Sequence, residues 1–242
     1  MSHRPHPSPL RAAAAALLVA ALSAQAQQQR QPAAPQQIDW TKAVPSASFK
    51  GPKIRQDSTW KQRTPRIYGN AQRKEQEWGV FDYAFDTIAP WTDNMTATFY
   101  VLLDGTEAIQ RDKAADQPVF TLLQLTLRYG DIQKGKDHKI SAVLLPAALE
   151  RYGKPIGLGL VVTVNDVEVY VDDANVDGKL AQAVQMATKR AAAAGATAKP
   201  KWWEFIGQVI PGDKLARRND YLVDRAKTPF ALVAIDDYVP SK

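Results

Sequence analysis

The sequence contains no cysteine. That removes disulfides, thiolate metal sites, cysteine nucleophiles and thiol redox motifs together. Exported domains with thin cores often depend on disulfides. A chain of about 216 residues, which is what remains once the 26-residue signal described below is set aside, is long enough to bury a core without them. Histidine is almost as scarce. His3 and His6 lie near the amino terminus, which leaves His138 for the body of the chain. A zinc centre with three or more His or Cys ligands cannot be assembled from one such chain. A Ser-His-acid triad would rest on that one imidazole. The motifs G-x-S-x-G, G-x-x-x-x-G-K-[ST] and G-x-G-x-x-G do not occur. Gly157-Leu158-Gly159 is an isolated glycine pair at the opening of a strand and points to no chemistry by itself. Long runs of one charge are also missing, so the sequence has no nucleic-acid-binding arm and no nucleic-acid partner is expected.

What is present begins with export. Arg4 and Arg11 precede any acidic residue, Ala12 to Leu22 is Ala, Leu and Val only, and Ser23-Ala24-Gln25-Ala26 offers small residues in an A-x-A arrangement. Charge, apolar run and small-residue site in that order predict a cleavable secretory signal over residues 1–26. The apolar run is 11 residues, against roughly 20 for a bilayer span, so no stable membrane insertion is expected. A periplasmic or secreted location follows, with association at the outer membrane within its scope. The formal charge of +6 falls to about +4 when Arg4 and Arg11 leave, a mildly basic surface that tolerates an anionic partner without demanding one. Residues 27–38 are rich in Gln, Pro and Ala and read as a disordered leader. The folded domain is placed at 39–242.

The body reads as strands. Alternating apolar and polar residues mark Glu77–Thr87, Asn94–Asp104, Pro118–Tyr129 and Lys139–Leu145. GLVVTV and VEVYVD flank Asn165-Asp166, a two-residue hairpin loop of residue types that tolerate positive φ. A last strand is predicted at Phe230–Ile235. Helices are few: Pro146–Tyr152 closed by Gly153, the Ala-rich Leu180–Ala194 ended by Gly195, and Lys201–Phe205 as a short helix or strand. Six to eight strands without long connecting helices predict an all-β sandwich, because two sheets with one apolar face each cover one another.

Little chemistry can be read from the polar residues. His138 sits in KGKDHK and reads as a solvated turn residue between strands. Asp172-Asp173 and Asp236-Asp237 are carboxylate doublets, but adjacent strand residues point to opposite faces, so neither doublet forms a dyad alone. Asp173–Gly178 matches the first half of a calcium loop, yet Val184 stands where the bidentate Glu belongs, and an Asx-rich turn is the better reading. No catalytic residue, metal ligand or cofactor site is assigned, and the chain is not expected to be an enzyme. A hydrolase built on His138 or a carboxylate pair remains the minor alternative.

Six tryptophans, at 40, 60, 78, 91, 202 and 203, are the unusual feature. Most are expected in the core. Trp202 and Trp203 stand apart, since chain neighbours do not both face one core on a strand, and one of them is expected to bind a partner. A carbohydrate- or ligand-binding module using exposed Trp is the competing reading.

Tyr221–Leu232, Asp236-Asp237-Tyr238 and Trp91–Thr96 leading into Tyr100-Val101-Leu102-Leu103 resemble a family of small exported bacterial pilus-associated proteins. The resemblance spans roughly Trp40 to Tyr238. It implies an immunoglobulin-like sandwich, membership of a type IV pilus-like or secretin-linked apparatus, and no catalytic residues. The amino terminus departs from pilins, which keep a long apolar helix. The resulting expectation is an immunoglobulin-like β-sandwich with a few short helices that assembles with itself or with envelope proteins. Amino-terminal sequencing of the exported protein is expected to read Gln27-Gln28-Gln29. A start at Met1 would contradict the signal reading.

Overall fold

In a computed structural model of the chain, residues 38–54, 60–63, 76–112, 118–193, 195 and 200–232 are described. The predicted signal, most of the leader, Ala194, Asp236-Asp237 and the end of the predicted last strand lie outside these residues.

The strands are β1 (Lys61–Arg63), β2 (Glu77–Thr92), β3 (Met95–Asp104), β4 (Phe120–Tyr129), β5 (Ile132–Leu144), β6 (Lys154–Val164), β7 (Val167–Val176), β8 (Leu215–Arg218) and β9 (Leu222–Asp224). The helices are α1 (Trp40–Ala43), α2 (Thr106–Asp112), α3 (Pro146–Tyr152), α4 (Gly178–Ala193) and α5 (Trp202–Val209). One sheet runs β1-β2-β5-β9 and the other β7-β6-β3-β4-β8. The inner faces alternate as predicted. Phe81, Tyr83 and Phe85 of β2 meet Phe99 and Val101 of β3, Leu123 of β4, Ile140 of β5 and Leu160 of β6 in one buried cluster.

The pairing is that of an immunoglobulin-like sandwich. β2 with β5 corresponds to strands B and E, β7-β6-β3-β4 to G-F-C-C′, and β1 to A. The place of strand D is taken by β9, which arrives from the carboxyl end and covers only Ala142–Leu144 of β5.

Three tight turns gather at one end. Asn94, Asp131, Asn165 and Asp166 have φ of 52°, 57°, 48° and 65°, conformations that Asn and Asp accept more readily than other side chains. Asn94 joins two of these turns: its Nδ2 donates to Asn165 Oδ1 at 3.2 Å, and its carbonyl accepts from Asn165 N–H at 3.3 Å. Asp93 Oδ1 accepts from Asp131 N–H at 3.1 Å.

Two predicted elements differ. KGKDHK is not a turn, because β5 runs from Ile132 and carries it as strand. Phe230 does not begin a strand. Pro229–Leu232 is a 3-10 turn, in which Thr228 Oγ1 accepts from Phe230 N–H at 3.3 Å. The turn places the Phe230 ring edge-on to Trp78 at 5.6 Å, sealing the outer face of β2 and β5 with Val80 and Val143. Arg225, buried, holds this segment down through Asp82, 3.2 Å away.

The outer face of the β3-β6 sheet is covered by α4 and α5. Lys201–Phe205 resolves as the start of α5, where Glu204 Oε2 accepts from Lys201 N–H at 3.3 Å. The indoles of Trp202 and Trp203 lie over Gly157 and Gly159 of β6. A Cβ at Gly159 would stand 2.3 Å from the Trp203 ring, and one at Gly157 3.3 Å from the Trp202 ring. The glycine pair is therefore the floor of the tryptophan seat. Trp203 also stacks on Tyr100, centroids 4.5 Å apart. Truncating a ring buried this way costs about 3–5 kcal/mol.

Gly159→Val is expected to lower unfolding free energy by about 1–3 kcal/mol through overpacking. In urea denaturation the cost should shrink when combined with Trp203→Ala, since the clash is then gone. Additive losses would show that the seat is not the cause.

Candidate functional site

β2 and β5 pair regularly from Gly79↔Leu144 to Phe85↔His138 and then slip twice. From Phe85↔His138 to Thr87↔Gly135, β5 carries the extra residue, with Asp137 at φ 56°. From Thr87↔Gly135 to Trp91↔Gln133, the surplus is on β2. These are two bulges facing opposite ways.

The hydroxyl of Thr87 ties them. It donates to the Gln133 carbonyl at 2.8 Å, accepts from Gly135 N–H at 3.0 Å and lies 3.1 Å from His138 Nε2. Its one proton goes to Gln133, so the imidazole must donate and carries its proton on Nε2. His138 is buried at 5% exposure and packs on Phe85. A Cβ at Gly135 would come within 2.8 Å of that Nε2, so glycine makes room for the ring. The expectation of a solvated turn histidine is thus corrected. His138 is an internal strut of the bulge.

The bulge turns Ala89 inward and pushes Ile88, Pro90 and Trp91 out. Ile88 is 55% exposed and Trp91 53%. Beside them on β5, Gln133, Lys134, Lys136, Asp137 and Lys139 are all exposed. β9 stops at Ala142, so Ile132–Ser141 has no strand partner on that side among the described residues. The result is one continuous surface of an apolar bulge flanked by an unpaired, lysine-bearing strand edge.

The residues expected at a site are elsewhere. Trp202 and Trp203 are 0% and 4% exposed and meet edge-to-face at 5.3 Å. The premise that neighbours cannot both be buried fails because α5 sits over Gly157 and Gly159, whose missing side chains admit both rings. Of the six tryptophans, Trp91 is the one that is exposed. The strand read from the sequence ended at Thr87, so Trp91 fell between predicted strands, whereas β2 runs on through it to Thr92.

Asp173–Gly178 is not an Asx turn but the end of β7 running into α4. No group of three or more His, Cys, Asp or Glu suited to a metal occurs among the described residues. Its polar side chains tie down the chain between 49 and 54. Asn175 Oδ1 accepts from Ile54 N–H at 3.0 Å, while Nδ2 donates to the Pro52 carbonyl. Asp172 Oδ2 accepts from the Tyr83 hydroxyl at 2.7 Å. Between that segment and β7 runs a groove of about 520 Å³, walled by Phe49, Lys53, Tyr170 and Asp172. Phe49 stacks on Tyr170 at 4.1 Å. Burial and then the charge of Asp172 push the Tyr170 hydroxyl up to about 12. Burial raises Asp172 itself above the usual 3.8, assisted by Asp173 and opposed by the Tyr83 hydrogen bond.

A protein-family model matches residues 45–242, which take in the sandwich and every helix after α1. The chain belongs to that family. Among solved structures, a crystal structure of a protein from Akkermansia muciniphila superposes with a TM-score of 0.52 at 17% identity, covering 81% of this chain and 94% of that one. At that identity the likeness concerns the fold, and it agrees with the two-sheet arrangement. No curated protein matches the sequence.

Because the folded Asp172 binds its proton more tightly than the unfolded one, its stabilising share is complete below about 3.8 and is lost as pH rises through the folded value. Asp172→Asn is therefore expected to gain stability relative to the parent as pH climbs across the acid range, in thermal melts at matched ionic strength. A constant difference would contradict the assignment.

Proposed function

We propose that the chain is a non-catalytic interaction protein of the bacterial cell envelope, docking partner proteins through the β2 bulge and the adjoining β5 edge. The carrying observation is the pair Ile88 and Trp91, each more than half exposed on a strand whose other large side chains are mostly buried. Exposed Trp beside aliphatic surface is the composition of interface hot spots. The buried ionisable groups support a structural rather than catalytic reading: Asp172 is bound to Tyr83, Arg225 to Asp82 and His138 to Thr87. The signal-like amino terminus supports a periplasmic or secreted location. The resemblance to pilus-associated proteins supports a place in a pilus-like or secretin-linked assembly. Homo-oligomers fall within the same reading.

A photo-crosslinking residue at position 91, expressed in the native envelope, is expected to give discrete adducts. Ile88→Ser with Trp91→Ser should abolish co-fractionation with that assembly while changing unfolding free energy by no more than about 1 kcal/mol, as for exposed positions. Unchanged association in the double variant would overturn the proposal.

A further inference from the structure

We infer that the unpaired edge of β5 is a receptor for an acidic β-strand from a partner protein, added to the sheet in the place left by the short β9. This rests on the docking role of the same surface and specifies what is docked.

Three observations carry it. β9 pairs with Ala142, Val143 and Leu144 and goes no further, so the edge from Ile132 to Ser141 continues the line of an existing strand with no strand partner on that side among the described residues. An edge of that kind is a template for strand addition, in which main-chain bonds give affinity and side chains select the partner. The exposed side chains along it are Lys134, Lys136 and Lys139 against Asp137 alone. None of the three lysines is in an ion pair among the described residues.

The same charges argue against a second copy. An antiparallel self-pairing centred on Lys136 would set Lys136 directly against its own copy. Like charges directly opposed across strands are destabilising. Lysines on an edge commonly serve to block such pairing. Here they also fix the sign of what is accepted. A strand with carboxylates at alternate positions would meet the lysines on one face and lay its apolar side chains along the sandwich opening.

The test uses the mature full-length protein and three synthetic octapeptides, alternating Val with Glu, Val with Lys, or Val with Thr. The readout is amide hydrogen exchange. The Val-Glu peptide is expected to slow exchange at 132–141 by about tenfold, with the effect fading at high salt, and the other two to do much less. Lys134→Glu with Lys136→Glu and Lys139→Glu, all exposed, should reverse the preference toward the Val-Lys peptide. Equal protection by all three peptides would overturn the charge selection. No protection by any would overturn strand addition, while leaving crosslinking at position 91 as an independent result. Protection that grows with protein concentration in the absence of peptide would put a second copy on the edge and overturn the inference.

Discussion

Two indole rings resting on a pair of strand glycines set what the rest of the surface can do. Trp202 and Trp203 can approach the sheet closely because β6 offers Gly157 and Gly159 beneath them. That contact fastens α5 to the outer face of the β3-β6 sheet, with α4 alongside. The face so covered joins the hydrophobic interior and is lost as a docking surface. On the opposite sheet, the carboxyl-terminal turns cover only the upper part, held by Arg225 on Asp82 and Phe230 on Trp78. Among the described residues, nothing covers the lower part of that sheet, with its double bulge and unpaired edge.

The open region is rigid for a local reason. Opposed bulges would ordinarily weaken a ladder, since each leaves a residue unpaired. Here the hydroxyl of Thr87 takes up the slack by contacting Gln133, Gly135 and His138 together. Ile88 and Trp91 are thus presented from a hydrogen-bonded strand rather than from a loop, a form of preorganisation that lowers the ordering cost of association.

Much of the sandwich was legible in the sequence. Alternation located β2, β3, β4 and both arms of the Asn165-Asp166 hairpin, because one face of each strand is apolar and the other polar. The start of β5 was hidden, since Lys134 to Lys139 on a solvent-facing edge has the composition of a turn. The strand predicted at Phe230 failed because local chemistry won. Thr228-Pro229 favours a tight turn, and the turn buries the Phe230 ring edge-on against Trp78. The candidate site was less legible. The glycine pair that seats the tryptophans lies far from them in sequence, and the bulge that expels Trp91 arises from register, which a single strand does not encode.

The central claim is that the β2 bulge and the β5 edge form the face this protein turns toward its partners. Hydroxyl-radical footprinting of the protein in intact envelopes, set against the purified mature chain, addresses it directly. The account expects Trp91 and Ile88 to be oxidised readily in the purified chain and shielded in the envelope, with Met186 on the exposed side of α4 equally reactive in both. Trp91 reacting alike in the two settings, or shielding confined to Met186, would contradict it.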